Sequence, residues 1–271
     1  RAFAVRQLEI LQDFELSIFM LHLTHALKFE TYVDSALARF LLRRSFLSPD
    51  TIGHALFWCL KSEMSMEEGA TIRHRFGIII SQYLRCCGPT HREVLGHELW
   101  LMNRLAHISH AVKSMSRNSS SGGGGSSSSK KAAAERQKHA RLLLAELNHA
   151  IPTRGIRLPL SCSSTITSEA LDGGPANSHN ATAGITTSTA SSFAHRALST
   201  DDAGRTTNLV SLVVEKCRIM SSKKAPLWLV CRTGEQDEQS LKTTSVLFKD
   251  GDDLRQDQLT LAVMKVVENC W

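Results

Sequence analysis

The sequence predicts an α+β protein in which a region of helices comes first and a region with β-strands follows. Up to about residue 115, apolar residues recur every three or four positions, which is the spacing of an amphipathic helix. After residue 208, continuous apolar runs of three to five residues are bounded by polar turns, as in buried strands. Serine- and glycine-rich text separates the two regions, and 271 residues suffice to bury a sizeable core.

Composition narrows the class of protein only broadly. Hydrophobic residues make up 42% of the chain, and the formal net charge of +6 suits an anionic partner such as a phosphorylated metabolite, a membrane surface or nucleic acid. There is no signal peptide, no apolar run near the ~20 residues of a membrane helix, and no initial Met, so we expect a cytoplasmic fragment of a longer protein. The seven cysteines are scattered without a CxxC pair, which argues against disulfides and a zinc site.

Residues 1–115 are predicted to form a helical domain of stacked helices with short breaks. A solenoid-like antiparallel stack and a plain helical bundle both fit the periodicity. Two histidine pairs, His22/His25 and His107/His110, share helical faces, and we interpret them as polar faces because no thiol or carboxylate lies near them in the pattern. The apolar stripes are Val33, Leu37, Phe40 and Leu41; Ile52, Leu56, Phe57 and Leu60; Ile72, Phe76, Ile79, Ile80, Tyr83 and Leu84; and Leu95, Leu99, Met102, Leu105 and Ala106.

Two low-complexity segments interrupt the chain. Residues 116–131 hold no side chain that gains by burial, and we expect a flexible linker there. A helix follows with Leu142, Leu143 and Leu147 on one side, and then the short extended piece "RLPLSC". Residues 163–208 are rich in Ser, Thr, Ala and Gly, and we expect a disordered insertion.

Regular patterns return in the last 63 residues, where two buried strands are predicted. Leu227–Cys231 reads "LWLVC", a continuous apolar run, and Ser245–Phe248 reads "SVLF", which is apolar after its serine; small polar residues lie near both. Asp253 and Gln256 have the spacing of a capping box that begins the final helix. That helix carries an apolar stripe at Leu259, Val263, Val266 and Cys270.

Lys249 directly follows the second predicted strand. From its context alone it is either a solvated lysine at a strand end or a cation fixed on a rigid strand and directed at phosphate oxygens. Asp257, one turn inside the final helix, is either favoured there by the helix dipole or holds the lysine in place.

The run "LFKDGDDLRQDQLTL" closely resembles the signature of the phosphoinositide 3-kinase and 4-kinase superfamily. "CRIMSSKKAPLWL" looks like the phosphate loop of class I phosphoinositide 3-kinases and the strand after it, and "RLPLSC" resembles the piece before that loop. "YVDSALARFLLRRSF", "IGHALFWCLKSEM" and "RFGIIISQYLRCCG" look like the class I helical domain. The resemblance covers Leu21–Met115 and Glu135–Trp271 apart from the insertion.

The resemblance implies a solenoid-like helical domain followed, over 132–271, by a partial kinase small lobe with antiparallel β-strands. It implies that Met220 and Trp228 border the adenine pocket, that Ser222 lies in the phosphate loop, that Lys249 contacts ATP phosphate, and that Asp257 lies near that lysine. The loop has no glycine run, so we expect backbone N–H groups and the serine hydroxyl to hold phosphate.

The same resemblance implies a lipid kinase that transfers the ATP γ-phosphate, with Mg2+, to the 3-hydroxyl of a phosphatidylinositol lipid. It implies peripheral recruitment from the cytoplasm to a membrane, a possible regulatory subunit or small GTPase as partner, and no nucleic acid. The family's catalytic loop, metal-binding residues and activation loop have no counterpart in this sequence, so we assign no catalytic or metal-binding residue and expect this chain alone to be inactive. The alternatives are a phosphoinositide 4-kinase and a non-catalytic helical scaffold with a vestigial kinase part.

Overall fold

The computed structural model describes residues 2–64, 69–119, 126–158, 166–167, 208–222, 224–234, 241–251 and 253–270. Helices dominate the first part of the chain and an antiparallel sheet the later part, which confirms the α+β prediction. Among the described residues, no helix is both long enough and apolar enough to cross a bilayer. The helices are α1 (Ala2–Leu8), α2 (Asp13–Ile18), α3 (Met20–Ala26), α4 (Ala36–Leu47), α5 (His54–Met64), α6 (Ala70–Cys86), α7 (Pro89–Ser119), α8 (Ser126–Ala150) and α9 (Arg255–Cys270).

The described residues divide into two compact units, which differ from the predicted domain boundaries. The helical unit comprises the described parts of 1–95 together with 253–271, and the sheet unit those of 96–181 together with 206–252. The final helix α9 therefore belongs to the helical unit rather than to the sheet that precedes it. Leu259 of α9 packs against the helical core, which gives this assignment its physical basis.

The core of the helical unit follows the predicted stripes closely. Ser35 caps α4 by accepting a hydrogen bond from the Ala38 N–H at 3.1 Å, so Val33 precedes the helix. A single π-type turn, Pro49–Gly53, joins α4 to α5, with the Gly53 N–H donating to the Ser48 carbonyl at 3.0 Å. The buried apolar residues that pack together in this core are Leu16, Met20, Leu21, Leu27, Leu37, Ala38, Phe40, Leu41, Ile52, Leu56, Cys59, Leu60, Phe76 and Ile79, and Phe57 and Tyr83 are also buried.

In the sheet unit, every pairing between described strands is antiparallel. The strands are β1 (Ile156–Arg157), β2 (Ile166–Thr167), β3 (Asn208–Leu212), β4 (Arg218–Ile219), β5 (Leu227–Thr233) and β6 (Lys242–Phe248). Their spatial order is β1-β3-β5-β6-β2, and β4 also pairs with β5. The core face of the sheet packs on α7 and α8 through Leu101, Leu105, Ile108, Val112, Ala140, Leu144 and Leu147.

The prediction for α8 was wrong in its details. Its buried stripe is Ala140, Leu144 and Leu147, a spacing of four and three, whereas Leu142 is 59% exposed and Leu143 only borders the core. In a run of three leucines, the sequence alone did not determine which one faces the sheet.

The low-complexity segments also differ in part from the predictions. The predicted linker 116–131 is helical at both ends, because α7 runs to Ser119 and α8 begins at Ser126. Helix propagation costs little once a helix is anchored by packing, so polar residues continue both helices. Within the predicted insertion 163–208, β2 pairs with β6 and Asn208 begins β3. The prediction of disorder is therefore wrong for Ile166, Thr167 and Asn208. The rest of 163–208, and 120–125, lie outside the described residues.

Candidate functional site

One end of the sheet brings together two of the segments that the sequence singled out. Ile219, the last residue of β4, pairs with Leu227 at the start of β5, and Leu227 pairs with Phe248 at the end of β6. The loop 220–226 and Lys249 therefore both leave the sheet at this end, one residue beyond the same row. Antiparallel pairing alone explains this, since β4 and β6 both run antiparallel to β5.

The loop between β4 and β5 is held by its own backbone. The Met220 N–H donates to the Pro226 carbonyl at 2.9 Å, the Ser222 N–H to Met220 at 3.0 Å, and the Ala225 N–H to Ser222 at 3.0 Å. Ala225 has a φ of 45°, in the left-handed region that costs energy for any residue with a Cβ. In this conformation the Ser222 N–H is therefore already used within the loop, and the expectation that backbone N–H groups of this loop hold phosphate stays a prediction. Its exposed side chain can still present a hydroxyl.

Trp228 lies on the more exposed face of the sheet. It pairs with Arg218 on one side and with Leu247 on the other, so the three side chains share a face. The guanidinium carbon of Arg218 lies 5.6 Å from the centroid of the Trp228 ring, within cation–π range. Trp228 is half-buried, Leu247 is 44% exposed and Met220 is 37% exposed. This face therefore presents one aromatic ring with partly exposed apolar side chains near it, and the Arg218 guanidinium lies over that ring.

The prediction of two buried strands was right for β5 and wrong for β6. Leu227, Leu229, Val230 and Cys231 are buried. In β6, Val246 and Phe248 face the core but are only half-buried, and Leu247 points to the exposed face. A three-residue apolar run does not require two covered faces, and here one face is open.

The turn after β6 is fixed by a helix that sequence reasoning did not connect with it. Lys113 of α7 donates to the Asp250 carbonyl at 2.8 Å and to its carboxylate at 3.2 Å. His110 of the same helix lies 3.3 Å from that carboxylate. Lys224 of the loop donates to the Gly251 carbonyl at 3.2 Å, and Gly251 has a φ of 77° that a glycine adopts without strain. Exposed Lys249 therefore sits beside a turn tied both to α7 and to the β4–β5 loop.

No signal in the sequence connects Lys113 with Asp250, which follows it by 137 positions. The sequence predicts that His107 and His110 form a polar helix face. Exposed His107 agrees with that prediction, whereas His110 contacts the Asp250 carboxylate and helps to hold the acidic turn.

Asp257 is the fifth predicted site residue, and it lies in the helical unit. It is exposed in the first turn of α9. The predicted capping box was wrong: α9 begins at Arg255, and Asp253 lies before it and accepts from the Arg255 N–H at 3.1 Å. This contact spans two residues, the pattern of an Asx turn rather than of a capping box. The closeness of Asp257 to Lys249 stays a prediction.

A buried carboxylate lies at the start of α9 and was missed by sequence reasoning. Glu63 of α5 has no exposed side-chain surface, and Lys28 and Arg255 both contact its Oε2. Burial acts to raise the pKa of Glu63, but the hydrogen bonds and charges of these two cations outweigh it and hold the pKa below its ordinary value. Burial, and secondarily the charge of Glu63, raises the pKa of the Cys59 thiol to about 12.

Known proteins resemble this chain along its whole length. Residues 1–96 match the accessory domain (PIK domain) of the phosphoinositide 3-kinase family. All 271 residues align with phosphatidylinositol 3-kinase 2 of Dictyostelium discoideum at 32% identity. The chain is therefore similar to the phosphoinositide 3-kinase family, and over residues 1–96 to the accessory domain of that family.

A second relative supports the same family. Phosphatidylinositol 3-kinase 1 of Dictyostelium discoideum is 27% identical over the whole chain. The chain spans 11% of the first relative and 13% of the second, so it matches one part of much longer proteins. The residues that match the PIK domain, 1–96, are nearly the same as residues 1–95 of the helical unit.

Proposed function

We propose that this chain is part of a class I-like phosphatidylinositol 3-kinase and contains helices of its accessory domain and the beginning of its ATP-binding lobe. The whole enzyme transfers the γ-phosphate of ATP to the 3-hydroxyl of an inositol phospholipid at a membrane surface. Support comes from the names of both relatives, which favour a 3-kinase over a 4-kinase, and from the class I-like text of the β4–β5 loop.

The observation that carries this proposal is the arrangement at one end of the sheet. Lys249 and the loop with Ser222 leave the sheet beyond the same row of paired residues, and the ring of Trp228 lies one residue inside it. An apolar ring beside a cation and a hydroxyl suits a nucleotide, whose base stacks while its phosphates carry negative charge.

Each residue has a separate role in this proposal. Trp228, with Met220 at its edge, orients the adenine. The ammonium of Lys249 offsets phosphate charge, which increases in importance as the γ-phosphoryl group is transferred. Ser222 donates its hydroxyl to a phosphate oxygen. Asp257 holds Lys249 in position rather than taking part in the transfer.

Mg2+ accompanies ATP in phosphoryl transfer, and its ligands are not assigned to this chain. Among the described residues, no group of three or more His, Cys, Asp or Glu side chains is arranged to hold a metal ion. We also propose that a regulatory subunit or small GTPase acts on the whole enzyme and that recruitment to the membrane is peripheral. Residues 1–271 alone should lack turnover, because the family's catalytic loop has no counterpart in them.

The test is Lys249→Met in the longer enzyme, with Lys242→Met as the matched control. Lys242 lies at the opposite end of the same strand and is also exposed to solvent. We expect Lys249→Met to lower turnover on phosphatidylinositol vesicles by at least about 100-fold and Lys242→Met to leave it unchanged. Activity of Lys249→Met within about threefold of wild type, equivalent to ~0.65 kcal/mol in barrier, would make Lys249 a solvated strand-end lysine.

A further inference from the structure

Glu63 is a fully buried carboxylate that forms ion pairs. Its side chain has no exposed surface, and its Oε2 contacts the ammonium of Lys28 and, at 2.8 Å, the guanidinium of Arg255. His25 lies 3.6 Å from Oε1 and is half-exposed. Removing a carboxylate from water costs free energy unless nearby cations compensate its charge. Lys28 by itself already supplies one full positive charge opposite the negative charge of Glu63.

Arg255 is the second cation, and it comes from the first residue of α9. Its Nη1 donates to Glu63 at 2.8 Å, while its Nε and Nη2 each donate to the Asp253 carboxylate at 3.0 Å. The guanidinium is thus held on two sides, and its planar donor pattern leaves it little freedom to rotate. The start of α9 is therefore tied to α5 by a contact that spans 192 positions.

The other side of Glu63 is equally well fixed. Lys28 lies in a short 3-10 turn, Leu27–Phe29, directly after α3. Arg75 of α6 donates from Nη1 to the carbonyls of Leu27 at 2.7 Å, Lys28 at 3.3 Å and Glu30 at 2.5 Å. Glu63 is therefore a fixed point between α5, the turn after α3 and α9.

We propose that Glu63 is a positioning residue for the kinase: by holding Arg255, it fixes the first turn of α9 and with it Asp257, two residues further along. This inference rests on the proposed function, since it assumes that Asp257 serves the nucleotide site. Lys28 compensates the charge of Glu63 within the helical unit, whereas Arg255 transmits its position to α9.

The first experiment needs no activity and uses the 271-residue chain. Hydrogen exchange is measured at the amides of residues 258–262, beginning with Gln258, whose N–H donates to the Leu254 carbonyl at 2.9 Å. We expect exchange there to be at least tenfold faster in Glu63→Gln and in Arg255→Met. Lys28→Met, which removes the other cation from the same carboxylate, should leave these amides at the wild-type rate.

The second experiment measures kcat and KM for ATP in the longer enzyme. Glu63→Gln should lower kcat at least tenfold while KM changes less than about threefold, because small displacements of reacting groups affect rate strongly. Arg255→Met should do the same, and the double variant should lose no more than the worse single variant. Arg255→Lys should lower kcat less than Arg255→Met does, since lysine keeps the positive charge but lacks the planar donor pattern of the guanidinium. Lys28→Met should keep the wild-type kcat.

The outcomes distinguish this inference from the proposed function. If wild type is active and Lys249→Met is not, but Glu63→Gln and Arg255→Met keep the wild-type kcat, the positioning role is wrong while the proposed function stands. If Lys28→Met speeds exchange in α9 as much as Arg255→Met does, Glu63 only stabilises the helical unit. If Glu63→Gln does not fold, the comparison of Arg255→Met with Lys28→Met decides alone. An inactive wild-type enzyme would overturn the proposed function first and this inference with it.

Discussion

Gly53→Ala tests how tightly the helical unit is packed at the turn between α4 and α5. A Cβ at this position would lie 2.1 Å from the Tyr83 hydroxyl oxygen and 2.9 Å from the backbone carbonyl of Ser45. The Tyr83 ring has little room to withdraw, since it is fully buried, stacks on Phe46 at 5.9 Å and meets His91 edge-on at 6.0 Å. We therefore expect the alanine to force the ring or the backbone to move.

The size of the effect follows from two opposing contributions. Overpacking of a close-packed core costs about 1–3 kcal/mol, and three contacts under 3.0 Å, two of them to Tyr83, point to the upper end of that range. Replacing glycine by alanine lowers the entropy of the unfolded chain and recovers about 0.4–1 kcal/mol. The net loss of stability is about 2 kcal/mol, which corresponds to roughly 30-fold faster exchange of the most protected amides.

The assay is hydrogen exchange of the α6 amides around Ile79 and Tyr83, with Gly77→Ala as control. Gly77 also lies in α6, and an added Cβ there would meet only the Met64 Cε at an ordinary 3.7 Å. The control should be as stable as wild type or more stable by up to about 1 kcal/mol, because alanine favours helix. In Gly53→Ala, adding Tyr83→Phe removes the 2.1 Å contact and should reverse part of the loss. Equal exchange rates in Gly53→Ala and Gly77→Ala would refute the packing argument.

Two further predictions concern stability. Because the folded state holds the pKa of Glu63 below its ordinary value of 4.5, its contribution to stability is present above that pH and is lost as the pH falls through the folded pKa. The stability difference between wild type and Glu63→Gln in urea titrations should therefore shrink below pH 4.5, and a constant difference down to pH 2 would contradict this. Leu229, at the centre of β5, is 3% exposed, and Leu229→Ala should lower the free energy of unfolding by about 2–5 kcal/mol. Leu247 is 44% exposed, and Leu247→Ala should lower it far less. Similar losses in the two variants would mean that both faces of the sheet are covered.

Local sequence patterns predicted the parts of the fold that depend on local chemistry. The stripe Ile52, Leu56, Phe57 and Leu60 is buried as expected, because spacings of three and four place those residues on one helical face. The run Leu227–Cys231 is mostly buried because a strand between two others, with helices on one face, needs apolar side chains.

Features that depend on distant pairing were not predicted. Neither Lys113 with Asp250 nor Glu63 with Arg255 leaves a local pattern, since the partners are 137 and 192 positions apart. The capping-box spacing at Asp253 was present, but Arg255 occupies that carboxylate and the helix begins later. The local spacing permits a capping box at Asp253, but whether that box forms depends on the contacts of Arg255.

The candidate site shows the same division. The family-like text singled out Met220, Ser222, Trp228 and Lys249 as candidates, and the sheet register places the loop and the lysine at one end. The sequence did not show that the Ser222 N–H is already used within its loop. Hydrogen bonding in a tight turn depends on backbone angles, here including the left-handed Ala225, which residue types alone do not specify.

The position of the phosphate that the longer enzyme adds tests the central claim most directly. The purified enzyme would be incubated with phosphatidylinositol vesicles, Mg2+ and labelled ATP, and the deacylated products separated by the ring position of the new phosphate. We expect label at the 3-position, absent in Lys249→Met and retained in Lys242→Met. Label at the 4-position would assign the protein to the 4-kinases, and the absence of any labelled lipid from a folded wild-type enzyme would favour a non-catalytic scaffold.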